Sequence, residues 1–460
     1  MIFKCLLLLL PMIVLASWFQ DTSKSKENFQ TENNCFCQLK GIVDDCSCSI
    51  ETIDSFNNLK IYPRLRSILE KDYFRYWKVN LNKGCLFWDD DSQCSIRYCS
   101  VQECLTVPES IEQDLSASHN KEKYTSKDKL KMLESDCDKE GDLGYLNTTI
   151  SDESKADFER WAAHDSAQDD SFCFLDDETS QESRYVDLLL NPERYTGYMG
   201  PSAHRVWSAI YQENCFKSSG TEASFSEFSS MGEMCLEKRA FYRAISGLHS
   251  SINIHLCAKF LLSEKDGFLD HPEGIWGPNL VEFQKRFDPE LTKGAGPNRL
   301  KNLYFLYLLE LKALSKVGPY LLSLPFYTGN HEEDRERKTA ITDLLSIIES
   351  FPHHFDEGLM FAMNSDGANL KTEFRDHFRN ISRIMDCVGC DKCRLWGKLQ
   401  VTGLGTALKI LFSGKFDSIS DAKKMNFHLT RNEIVALFNA FGRLSNSISE
   451  LDNFRRQLQR

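Results

Sequence analysis

The segment Asp386-Cys387-Val388-Gly389-Cys390-Asp391-Lys392-Cys393-Arg394-Leu395-Trp396-Gly397-Lys398 most restricts what this chain can fold into. It packs three cysteines into seven residues, with Cys390 and Cys393 forming a CxxC pair at the head of a helical run. Two sulfurs at that spacing can close a small disulfide, and a helix N-terminus favours the thiolate, the nucleophilic form. A CxxC alone would equally be half of a zinc site or a thioredoxin motif. Here no second CxxC or Cys/His pair has the spacing for four zinc ligands, and no thioredoxin-like βαβ pattern surrounds it. A second dithiol with a wider spacing, Cys99-Ser100-Val101-Gln102-Glu103-Cys104, lies far upstream. The two together suggest that electrons are relayed between two disulfides.

Residues 1–16 read as a secretory signal: Lys4 gives a weakly basic start, Cys5 to Leu15 is almost wholly apolar, and Val14-Leu15-Ala16 ends in a small residue. The apolar run is shorter than the ~20 residues that span a bilayer. The mature chain is therefore expected to be soluble in an oxidising compartment, where the other 16 of its 17 cysteines can pair. Cysteine abundance usually staples a small scaffold with a poor core. At 460 residues and 42% hydrophobic composition this chain needs no such help, so some cysteines are expected to do chemistry. Asn147 and Asn380 head N-glycosylation patterns, in keeping with secretion. The net charge of −12 argues against nucleic acid.

A polar stretch over 17–34 is expected to be disordered. Cys35-Phe36-Cys37 and Cys46-Ser47-Cys48 then form two CxC pairs. Nested pairing of Cys35 with Cys48 and Cys37 with Cys46 would close a hairpin-like loop; a metal site is the alternative. From Cys99 to Arg184 the chain is rich in Asp, Glu, Ser and Lys and contains Cys99, Cys104, Cys137 and Cys173. Mobile loops held or released by disulfides are expected there. Helical spacing runs through Met234 to Leu262, Pro297 to Leu322 and Lys371 to Met385, and Thr430 with Glu433 makes a capping box before a last amphipathic run. Pro297 to Leu322 is apolar nearly all round, as a central buried helix would be. The fold class is mainly α: a single helical domain in which a cysteine-rich, loop-rich part, 35–184, packs with a helical core, 185–460.

These residues resemble a known family. Cys387 to Gln400, the CxxxxC of Cys99 and Cys104, and Asn191-Pro192-Glu193-Arg194-Tyr195-Thr196-Gly197-Tyr198 together resemble the endoplasmic reticulum oxidoreductins, FAD-dependent thiol oxidases that reoxidise protein disulfide isomerase. Further matches fall at Glu237-Lys238-Arg239, Phe241-Tyr242-Arg243, Ile245 to His249 and Arg299 to Phe305, and the cysteine layout is most like the animal members. The resemblance implies that a helical bundle holds FAD, that Cys393 faces the flavin and that Cys390 exchanges with the outer pair Cys99–Cys104. Lys392 and Arg394 are cations that could favour a thiolate, or plain solvated charges on a surface helix.

The family's FAD contacts fall on Arg194, Thr196, Trp207, Ser246, His249, Arg286 and Arg299. The residue types suit the ligand: arginines fork onto a pyrophosphate, Trp207 offers a plane for adenine, and Ser246 and His249 share a helix face at i, i+3. No GxGxxG follows a strand, which argues against a Rossmann-type FAD site. The resemblance also implies structural disulfides Cys85–Cys387 and Cys215–Cys235, beside the nested Cys35, Cys37, Cys46, Cys48 set. It implies a regulatory set of Cys94, Cys99, Cys104 and Cys137, with Cys173 as a further partner or a free thiol. Cys257 has no counterpart and reads as a buried inert thiol. The function implied is an oxidase passing electrons from protein disulfide isomerase to oxygen and yielding hydrogen peroxide, in the endoplasmic reticulum lumen. With no KDEL-type tail, retention through a partner or peripheral membrane association is expected. A flavin-free thiol isomerase and a disulfide-stapled binding protein are the competing readings. Monomer is the default state.

Overall fold

Long runs of helical periodicity become helices, and the described chain is mainly α. The computed structural model describes residues 36–88, 98–102, 104, 111, 172–173, 178, 180–195, 201–211, 236–263, 274–324, 330–351, 361, 365–414 and 427–459. The signal segment, the polar stretch 17–34, Cys35, Cys94, Cys137, Asn147, Thr196, Cys215 and Cys235 lie outside the described residues.

Helix α1 (Ile50–Phe56) starts at Ser49, whose hydroxyl accepts the Thr52 amide. A π turn leads into α2 (Tyr62–Leu69), followed by α3 (Asp72–Arg75) and strand β1 (Tyr76–Val79). Strand β2 (Arg184–Asp187) pairs antiparallel with β1, Tyr76 opposite Asp187 and Val79 opposite Arg184. Then come α4 (Pro201–Ala209), α5 (Leu236–Ala258) and a hairpin of β3 (Phe260–Ser263) with β4 (Ile275–Gly277). The remaining helices are α6 (Leu280–Phe287), α7 (Ala295–Ser323), α8 (His331–Glu349), α9 (Ser365–Ile384), α10 (Asp391–Leu411) and α11 (Arg431–Leu458).

Four helices build the centre. α7 packs on α5 and α10, and α11 packs on α10, α5 and α2. As the sequence predicts, α7 is buried on all sides from Leu303 to Leu309, and Pro297 lies in its first turn, where no amide partner is needed. Two glycines set how closely the helices approach. A Cβ at Gly247 would strike the Asn302 backbone and the Leu306 side chain across the α5–α7 crossing. A Cβ at Gly403 would strike the Ala436 backbone and the Ala440 methyl across the α10–α11 crossing. One hydrophobic core runs from Cys37 to Phe454, so the N-terminal elements and the last helix share it. Thr430 and Glu433 form the reciprocal capping box of α11. Among the described residues no helix is long and apolar enough to cross a membrane.

Two expectations change. The helix read to Leu262 ends at Ala258, because Phe260 and Leu261 instead pair with Gly277 and Trp276 of β4. A short apolar run cannot distinguish the two states by periodicity alone, and the partner strand decides it. At the CxC pairs the hairpin-like loop forms, with an antiparallel bridge between Ile42 and Ser49, but Cys46 and Cys48 carry free thiols, so the nested disulfides are not present here. Backbone bonds close the loop instead: Val43 N–H to the Cys48 carbonyl (2.9 Å) and Ile50 N–H to the Gly41 carbonyl (2.9 Å). Arg243 of α5 clamps it by donating to the Asp44 carbonyl (2.7 Å) and the Asp45 carboxylate (2.9 Å). Burial pushes the Cys46 thiol up to about 12 and that of Cys48 up to about 11, which keeps both protonated.

Candidate active site

The inner dithiol sits where α10 begins. The 3-10 turn Met385–Cys387 ends α9's run, and Cys390 is the N-cap of α10, its sulfur accepting the Cys393 amide at 3.3 Å. Cys390 and Cys393 form a disulfide with their Cα atoms 5.1 Å apart; Cys390 is fully buried and Cys393 half-buried. Cys387 is bonded to Cys85, as the resemblance implies, and so fastens the turn to the N-terminal part. Beneath it, buried Asp386 pairs with Lys398 and with Arg383, and Lys398 also donates to the Asn80 carbonyl (3.3 Å). Arg394 is not a solvated charge on a surface helix. It is buried, and its guanidinium donates to the carbonyls of Val388 (2.7 Å) and Leu81 (2.5 Å), bracing the turn.

The outer dithiol reaches the inner one through the backbone. The amide of Lys392, one of the two residues between Cys390 and Cys393, donates to the Cys99 carbonyl at 2.8 Å. Three residues on, Gln102 exchanges two hydrogen bonds with the side chain of Asn191, and the Cys104 amide donates to the Tyr185 carbonyl of β2 at 3.3 Å. Cys99 is disulfide-bonded and Cys104 is a free thiol, so the outer pair is open in this structure. Burial raises the Cys104 thiol above its ordinary value, opposed by the Asp187 amide and the Arg75 guanidinium. Tyr98 packs edge-on against Trp276 of β4 (5.4 Å), and the Arg194 guanidinium lies over the same ring at 5.2 Å.

The cofactor residues inferred from the resemblance converge from four helices. Trp207 of α4 stacks on His249 of α5, centroids 3.6 Å apart and planes within 13°. The Tyr211 hydroxyl bonds His249 Nδ1 at 3.0 Å. Burial, with the positive charges of Arg299 and Arg286, pushes His249 down to about 3, so it is a neutral ring at neutral pH. Arg286 of α6 donates to Asn253 (3.1 Å) and to the Glu282 carboxylate (2.7 Å), and Arg299 of α7 reaches the Arg286 carbonyl (3.5 Å). The Ser246 hydroxyl accepts from Asn302 of α7 (2.9 Å) and helps to fasten the α5–α7 crossing. A flat aromatic stack beside two guanidinium groups fits a ligand with an aromatic base and a pyrophosphate. The residues present therefore fit FAD.

Sequence reasoning missed the residues that tie these parts together. Glu193 is buried against Arg443 of α11 and Gln400 of α10, and its carbonyl is 2.8 Å from His255 of α5. The Trp396 indole donates to the Asn191 carbonyl at 2.7 Å. The stretch Asn191 to Arg194 thus touches the outer loop, the inner-disulfide helix, His255 of α5 and Trp276 of β4, a convergence that only its motif context hinted at. Elsewhere, Cys173 is a free, buried thiol pressed against Gly405 of α10, pushed by burial to about 12. Cys257 is free and buried as expected, near Arg286 (3.8 Å), and burial pushes it to about 11. Asn380 is half-buried on α9.

A sequence model of the Endoplasmic Reticulum Oxidoreductin 1 family matches residues 60–451. The Ero1-like protein of Drosophila melanogaster is 51% identical over 468 residues, covering 96% of each chain. The ERO1-like protein alpha of Homo sapiens is 52% identical over 445 residues, covering 92% of each chain. A solved structure of Ero1p, described as a source of disulfide bonds for oxidative protein folding in the cell, aligns at 30% identity with a TM-score of 0.56, covering 89% of this chain and 99% of that one. The chain belongs to the endoplasmic reticulum oxidoreductin family and is an oxidoreductase that acts on thiols.

Proposed function

We propose that the protein is a flavin-dependent oxidase of the endoplasmic reticulum lumen that reoxidises protein disulfide isomerase with oxygen. The net reaction converts a substrate dithiol and oxygen into a disulfide and hydrogen peroxide, which balances two electrons and two protons. The observation that supports it is the 2.8 Å bond from the Lys392 amide to the Cys99 carbonyl, which brings the Cys99 backbone to the turn that carries the inner disulfide. A reduced Cys99/Cys104 pair attacks a sulfur of Cys390–Cys393, and the second outer thiolate then resolves the mixed disulfide. The outer pair leaves oxidised and the inner pair reduced. Arg194, Trp207, Ser246, His249, Arg286 and Arg299, with Thr196, would hold FAD. Bound there, FAD supplies a two-electron acceptor for the inner dithiol and a route to oxygen.

The N-cap position of Cys390 matters to this chemistry, because the helix dipole and the Cys393 amide stabilise negative charge on its sulfur. A regulatory reading has Cys94 and Cys137 capture Cys99 and Cys104 and stop electron entry; the bonded Cys99 is in keeping with it, whereas Cys104 is a free thiol here and is not captured. Peripheral association with the luminal membrane face, or a partner, would hold the protein in its compartment.

The purified protein should show flavin absorbance near roughly 450 nm, as bound flavins do. Cys390→Ala and Cys393→Ala should each keep that band, since the proposed FAD residues lie on other elements, and lose oxygen consumption with reduced isomerase. A colourless protein, or normal consumption in either variant, overturns the reading.

A further inference from the structure

Asn191 is fully buried, and every polar atom of its side chain is used. Its Oδ1 accepts the Gln102 amide at 2.7 Å, and its Nδ2 donates to the Gln102 carbonyl at 2.8 Å. The second Nδ2 hydrogen goes to the Asp187 carbonyl at 3.1 Å. To the outer-cysteine loop the amide therefore behaves like the facing residue of a β-ladder, satisfying donor and acceptor of one loop residue at once. Its own carbonyl accepts the Trp396 indole at 2.7 Å, three residues past Cys393 on α10.

Among its described residues the loop is also held at its ends, where Lys392 donates to the Cys99 carbonyl and Cys104 donates to Tyr185, and Val101 packs against the core. Gln102, midway between the two cysteines, is exposed, so only its backbone is engaged. We propose that Asn191 is the positioning residue that docks the Cys99–Cys104 loop onto the Cys390–Cys393 helix, pairing with Gln102 on one side and Trp396 on the other. The role demands an amide. Aspartate at this position would aim carboxylate oxygen at two carbonyls, and leucine would leave the Gln102 N–H and carbonyl without partners.

The inference rests on the thiol-relay reading and deepens it. The docked loop serves transfer from outer to inner pair, so losing the dock should slow that step and spare direct reduction of the inner disulfide by a small thiol.

The test uses the full-length flavin-loaded protein in four forms: wild type, Asn191→Asp, Gln102→Pro and Gln102→Ala. Gln102→Pro removes the donating amide from an exposed position, while Gln102→Ala keeps both backbone bonds and serves as the control. With reduced protein disulfide isomerase, turnover of Asn191→Asp and Gln102→Pro should fall by about tenfold or more, as expected from losing buried hydrogen bonds. With dithiothreitol both should stay near the wild-type rate. Hydrogen exchange at the Cys104 amide should speed up in both variants and be unchanged in Gln102→Ala. Wild-type behaviour of Gln102→Pro with both reductants overturns the proposal. So does an equal loss with both, or an unaltered exchange rate at Cys104. Failure of the relay reading looks different: wild type itself would consume no oxygen with either reductant, whereas the exchange measurement would still report whether Asn191 holds the loop.

Discussion

Two histidines illustrate what burial does to single residues. His249 lies against Trp207 beneath two arginine charges, and His255 sits 2.9 Å from Asn446 and 2.8 Å from the Glu193 carbonyl. Burial is the largest cause in both cases, and both are held well below the ordinary histidine range, His249 at about 3. In the unfolded chain each would protonate near pH ~6.5. Below that pH the unfolded state binds more protons than the folded one, so stability is intact above it and is lost as pH falls toward the folded values. Each histidine contributes a slope of at most about 1.4 kcal/mol per pH unit in that window. Denaturant unfolding at pH 7 and pH 5 should therefore show clear loss at the lower value, and His249→Gln should flatten the dependence. An unchanged slope in that variant would mean that the ring is not kept neutral by the fold.

At the scale of elements, the distance between helices is set where side chains are missing. Gly403 lets α10, the helix that begins at the inner disulfide, lie directly on the α11 backbone. Adding one methyl at Gly403 would gain up to about 1 kcal/mol of helix propensity. Forcing apart two packed helices costs about 1–3 kcal/mol, and the clash here is with backbone, which cannot step aside. Gly403→Ala should therefore lower the melting temperature. Because α10 also carries Trp396 and Gln400, which meet Asn191 and Glu193, a shifted α10 should loosen the Asn191–Glu193 junction as well. A variant as stable as wild type would show that α11 can move outward freely.

For the whole molecule, the cysteines divide by surroundings. Cys85–Cys387 fixes the turn before α10, whereas Cys99 and Cys104 belong to a loop attached by hydrogen bonds at Cys99, Gln102 and Cys104 and by the packing of Val101 on the core. Disulfides in a loop of that kind are the more accessible to exchange. If Cys94 and Cys137 capture the outer pair, reduced isomerase must first free it, and oxygen uptake should begin after a lag. Cys94→Ala combined with Cys137→Ala should abolish that lag and raise the initial rate in an oxygen-electrode trace. A lag that persists assigns these cysteines to anchoring the loop.

Periodicity alone was enough for the helical class, the central position of α7, the Thr430–Glu433 cap and the CxxC at a helix start, because each depends on residues within a few turns of one another. The register of β3 against β4 was not legible, since an apolar run reads alike as helix or strand until its partner is known. The junction at Asn191 was equally hidden. It joins Gln102, Asp187, Trp396 and, through Glu193, His255 and Arg443, residues separated by up to hundreds of positions in the chain. Local sequence specifies propensity and chemistry, but which buried donor meets which acceptor is fixed only when packing removes water and leaves each polar group to find a partner in the fold.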